Sequence, residues 1–89
     1  MAKKRRKLNK DFEKKIYSSK KNVELVLAKI YDIDDENIQK EYMSSFNGVV
    51  RLYDELNENY EQQGFHEDSD ELLRNYKNAF NLFESEFEI

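Results

Sequence analysis

The sequence has no cysteine, no proline and no tryptophan, only two glycines and a single histidine. Without cysteine there is no disulfide staple and no thiolate metal site, which agrees with a reducing compartment. With His66 alone, no set of His and Cys can complete a zinc site. Gly48 and Gly64 are too far apart to form a glycine-rich phosphate loop. No run of about 18 apolar residues occurs, so no membrane-spanning helix is expected. Met1 to Lys10 is basic but lacks the apolar core of a secretory signal. It continues straight into Asp11 and Glu13, unlike an acid-poor transit peptide, so a cytoplasmic setting is expected.

What is abundant is charge, at 38% of residues, together with six Tyr and six Phe. Rich Lys, Asn, Tyr and Ile without Pro or Trp suggest an AT-rich coding sequence, as in many bacteria and the phages or plasmids they carry. At 89 residues there is room for one domain. A chain of that size buries a modest share of its surface and is marginal unless well packed or oligomeric.

The apolar residues follow one spacing. From Phe12 the steps through Ile16, Ser19, Val23, Val26, Ile30 and Ile33 alternate four and three, the pattern of a single helical seam. It recurs in Ile38, Tyr42, Phe46, Val49, Tyr53, Leu56 and Tyr60, flanked by Met43, Val50 and Leu52. A third seam holds Leu73, Tyr76, Phe80, Phe83 and Phe87, with Leu72, Ala79 and Leu82 beside it. The spacing predicts an all-α fold: a three-helix antiparallel bundle, with helices over about 10–32, 35–63 and 69–88. A basic arm, residues 1–8, precedes the single helical domain of residues 9–89. Ser18-Ser19 is the weak point of the first helix, but the unbroken seam phase argues for continuity. Ser19 then marks a close approach by another element, or a place where the seam outruns its partner.

The connections carry cap signals. Asn9 suits the first N-cap, and Asp32 or Asp34 the second. Asp68 with Glu71 has capping-box spacing for the third helix. Gly64 is expected to end the second helix in the left-handed conformation, with Phe65 packing back on the bundle. Gly48 sits inside that helix, either at a hinge or close crossing or simply tolerated. Asp32, Asp34 and Glu36 mimic the start of a calcium loop. Asn37 and Met43 then occupy the positions that need Gly and Glu, so no calcium site is expected.

The net charge of −4 hides a dipole. Residues 1–21 hold ten Lys or Arg and two acids, whereas residues 22–89 hold five basic residues and seventeen acids. No nucleophile–base arrangement is recognisable and no acid falls on a seam, where burial would tune it, so neither catalysis nor a cofactor or metal is expected. The leading expectation is a binding module. Its arm and first helix, through Lys3, Lys4, Arg5, Arg6, Lys7, Lys10 and Lys14, would hold nucleic-acid phosphates. The alternative reverses the roles. Glu55, Glu58, Glu61, Asp68, Asp70 and Glu71 would dock on a basic, nucleic-acid-handling protein as an inhibitor, mimic or assembly partner. Deleting residues 1–7 separates these two, abolishing binding only in the first. A third expectation is a structural homo-oligomer, a homodimer at its simplest, with the arm on a neighbour's acidic face.

Overall fold

The computed structural model describes residues 7–88. Three helices account for nearly all of them: α1 (Lys10–Tyr31), α2 (Glu36–Gln63) and α3 (Ser69–Phe87). Each lies within a residue of the boundaries expected from the seams. Among the described residues there is no strand and no helix long and apolar enough to cross a membrane.

The seams meet in one core. Phe12, Ile16, Val23, Val26 and Ile30 of α1 are buried with Phe46, Val49, Leu56 and Tyr60 of α2 and Leu73, Tyr76, Phe80 and Phe83 of α3. Contacts at the two ends fix the helix directions. At one end the start of α1 meets the end of α2, with the Phe12 and Tyr60 rings 5.6 Å apart. At the other, Tyr42 near the start of α2 packs 4.6 Å from Phe87 at the end of α3. α2 therefore runs antiparallel to both neighbours, and α1 and α3 run parallel. α2 packs closely against both, whereas the backbones of α1 and α3 stay farther apart and meet through side chains such as Tyr76 on Ser19.

Two expected seam residues leave the core. Ile38 is 43% exposed. α3 has its last core ring, Phe87, against Tyr42, so the turn of α2 carrying Ile38 projects past the end of its partner. Leu82, expected beside the third seam, is 61% exposed because Phe80 and Phe83 take the inward positions around it. Ile33 lies in the connection after α1, half-buried, with its N–H on the Ile30 carbonyl at 3.1 Å.

α1 is continuous through Ser18-Ser19. The Ser19 hydroxyl donates to the Lys15 carbonyl at 2.8 Å, one turn back, which satisfies it without breaking the helix. What meets Ser19 across the interface is a side chain: the Tyr76 hydroxyl donates to the Ser19 carbonyl at 3.2 Å. This small residue in the seam makes room for the tyrosine.

Asn9 caps α1 as expected, its side chain accepting from the Phe12 N–H at 3.0 Å. α2 is capped instead by Asp35, whose carboxylate accepts from the Asn37 and Ile38 N–H groups at 2.9 and 3.2 Å. Asp32 caps the C-terminus of α1 and Asp34 stays in the turn, so neither can reach the start of α2. The Asp68–Glu71 capping box is not formed. Asp68 already has helical backbone angles and makes no side-chain cap bond, and buried Ser69 accepts from the His66 N–H at 2.9 Å instead. His66, the chain's one histidine, is half-buried and linked through both ring nitrogens. Nδ1 accepts from the Asp68 N–H at 3.3 Å, which leaves Nε2 to donate to the Asn59 side-chain oxygen at 2.7 Å.

Gly64 ends α2, but its φ of 73° comes with a ψ of −161°, outside the left-handed helical region expected. Only glycine adopts that pair easily. The extended ψ lays Gly64 alongside Lys7 in a parallel bridge, with the Phe65 N–H on the Lys7 carbonyl at 2.7 Å. Phe65 packs back on Phe12, ring centroids 5.1 Å apart.

Gly48 is not at a close crossing. A Cβ placed there would meet nothing within 4 Å. Gly48→Ala is therefore expected to stabilise the fold by about 1 kcal/mol, the difference in helix propensity. Urea denaturation would measure it, and an unchanged or lowered midpoint would show that the site needs glycine.

Candidate functional site

The six lysines of α1 are all exposed, and helical geometry distributes them unevenly. Lys10, Lys14, Tyr17 and Lys21 follow steps of four, three and four and so form one outward stripe, opposite the core seam. Tyr17 is 59% exposed within that stripe, and the Lys21 ammonium lies over its ring, 5.4 Å from the centroid. Glu13 and Glu24, two of the three acids of α1, border the stripe on the side that faces α2. The Glu13 carboxylate accepts from the Tyr60 hydroxyl, which in turn accepts from the Asn9 N–H at 3.0 Å. Glu24 is close enough to Tyr53 to help keep that phenol protonated, behind burial and Asp54 in effect.

Of the expected basic residues, Lys10 and Lys14 belong to this stripe. Lys7 stands at its start, with its backbone pinned to the α2–α3 connection. Lys3, Lys4, Arg5 and Arg6 lie outside the described residues. The alternative acidic set is exposed throughout. Glu55, Glu58 and Glu61 climb the outer side of α2 one turn at a time. Asp68, Asp70 and Glu71 sit at the start of α3, at the same end of the bundle. That end is also where Lys7 is anchored, so the two oppositely charged regions are neighbours there.

A second basic feature was not singled out from the sequence. Because the backbones of α1 and α3 stay apart, an open groove of about 670 Å³ runs between them. Its borders carry Lys14, Lys15 and Lys29 from α1 and Lys77 from α3, against one carboxylate, Glu84. Val26, Tyr76 and Phe80 form its floor. The signal existed in part: Lys15 and Lys29 are fourteen residues apart and share a side of α1. Lys77 comes to them only through the parallel packing of α3.

Burial pushes the Tyr76 phenol up to about 12. The sign follows directly. In the unfolded chain the phenol ionises near 10, whereas in the fold it holds its proton to about 12. Its contribution to stability is complete below pH 10 and is lost as pH rises from 10 to 12. A loss on the order of 1–2 kcal/mol is expected across that window, and Tyr53 acts in the same direction. Denaturation midpoints at pH 9, 10.5 and 12 in wild type and Tyr76→Phe would check it, since the variant should lose less.

Among the described residues no group of three or more His, Cys, Asp or Glu is placed to hold a metal ion. No known family, no curated protein and no solved structure matches this chain.

Proposed function

We propose that this chain is a non-catalytic binding module that grips nucleic acid through the basic stripe of α1, continued at its start by Lys7 and the basic arm. One observation carries the reading. Lys10, Lys14 and Lys21 stand in a row on one helix face with an exposed tyrosine among them, while Glu13 and Glu24 border that row on its α2 side, next to Tyr60 and Tyr53. Ammonium groups at that spacing suit a row of phosphates, and each contact releases condensed counterions. Tyr17 offers a ring to an unpaired base, though nothing else in the stripe reads base edges, so binding is expected to be tolerant of sequence. The acidic outer side of α2 repels phosphates and restricts the nucleic acid to the α1 side.

The test is a salt titration of binding to a short duplex. Five to eight phosphate contacts give a slope of log K against log[salt] of roughly −4.5 to −7. No binding at about 50 mM salt, or a slope near zero, removes the reading. The exposed row of Glu55, Glu58 and Glu61 favours the second reading, in which α2 docks on a basic protein. In that case binding to the protein partner survives deletion of residues 1–7.

A further inference from the structure

We infer that the groove between α1 and α3 is a docking site for an acidic amphipathic helix of a partner protein, which would lie along the two helices as the fourth member of the bundle. The groove has the shape this requires. α1 and α3 are parallel and meet at the floor, where Tyr76 bonds to the Ser19 carbonyl, and parallel helices with an open furrow above that contact offer a fourth helix a seat along its length. From Lys14 to Lys29 the α1 border spans fifteen residues, or about 22 Å at the helical rise, about four turns of a partner. The floor is apolar: Val26, Phe80 and the ring of Tyr76, whose hydroxyl is turned away to the Ser19 carbonyl. On the α1 border Leu25 stands 61% exposed, an isobutyl group with no neighbour to cover it from water. Small exposed side chains, Ser18 and Asn22, leave room for another helix to approach.

Charge selects the occupant. The chain as a whole is acidic, yet this groove carries four lysines and one glutamate. A helix with an apolar stripe and acidic flanks answers both features at once, with a leucine-like side chain over exposed Leu25 and carboxylates against Lys15, Lys29 and Lys77. A nucleic-acid strand answers only one. Its phosphates would meet the lysines, but Leu25 would stay wet. Tyr76 and Phe80 are at most 9% exposed and present no open ring face for a base to stack on. The observations therefore favour a protein helix here, and the α1 stripe for nucleic acid.

The experiment is a display selection on the full chain. The library holds eighteen-residue peptides with leucine fixed at positions 3, 6, 10, 13 and 17, the remaining positions being drawn from Glu, Lys, Gln and Ala. Peptides enriched in Glu on the flanks are expected, with binding weakened at least tenfold by Leu25→Ser and by Lys77→Glu, and NMR shift changes centred on Val26 and Phe80. Neither Leu25 nor Lys77 belongs to the α1 stripe, so duplex binding by these two variants should stay within about threefold of wild type. Failure of the wild-type chain to bind duplex while it binds the selected peptides would count against the nucleic-acid reading and not this one. The inference is overturned if no peptide is enriched, if Lys-rich peptides win, if binding survives both variants, or if a single-stranded oligonucleotide produces the groove shifts instead.

Discussion

Phe46→Ala is expected to cost about 3–5 kcal/mol, the usual range for removing a buried phenylalanine. Phe46 is fully buried and reaches across from α2 to α3, with ring centroids 4.8 Å from Phe83 and 6.2 Å from Phe80. Those rings continue the chain of aromatic contacts: Phe80 meets Tyr76 at 5.9 Å, and Phe83 meets Phe87 at 4.8 Å. Truncating Phe46 opens a cavity whose walls are rigid rings, which collapse poorly into the space, so the upper half of the range applies. A small domain holds about 5–15 kcal/mol in total, so the variant should lose about a quarter of its stability or more. Its thermal midpoint should fall by at least about 12 °C. Equilibrium urea denaturation, followed by helical ellipticity, would give the value. A loss below about 1 kcal/mol would mean that the centre of the bundle is packed differently.

The second large effect concerns binding. Lys10→Glu, Lys14→Glu and Lys21→Glu together should remove three phosphate contacts and flatten the salt slope by about 2.7. At 50 mM salt that amounts to a fall in duplex affinity on the order of 10³-fold, before counting repulsion by the new carboxylates. All three residues are exposed and lie opposite the seam, so the helical fold should persist, and circular dichroism of the variant provides that control. The matching change on the other flank, Lys20→Glu, should matter far less, because Lys20 lies off the stripe. A triple variant that binds within threefold of wild type would move the phosphate contacts away from α1, to the arm or elsewhere.

Much of the architecture was legible because it is periodic. A four-three spacing is a statement about one helix face, and burying that face is what stabilises a short helix. Val26, Phe46 and Phe80 are buried for that reason. The N-cap at Asn9 was legible too, since it depends on a side chain and the backbone three residues away. Caps failed where several candidates stood in a row. Among Asp32, Asp34 and Asp35, the backbone angles of the turn choose the one that reaches the free N–H groups, and those angles are set by how α1 and α2 pack. His66 is a similar case. Acids follow it in sequence, but the fold gives its ring an amide oxygen from Asn59, seven residues back in α2, and a backbone N–H from Asp68.

The amino-acid order alone determined three amphipathic helices, their approximate limits, the lysine row of α1 and the sorting of charge between the first 21 residues and the rest. All of these follow from interactions within a few turns of one chain segment. Only the tertiary structure decided that α1 and α3 run parallel without closing on each other. It also brought Lys77 beside Lys15 and Lys29, carried Ile38 past the end of the core and tied Lys7 to the connection at Gly64. Each of these joins residues far apart in the chain. Their geometry is set by helix length and side-chain volume across the shared interface, and no local pattern records that.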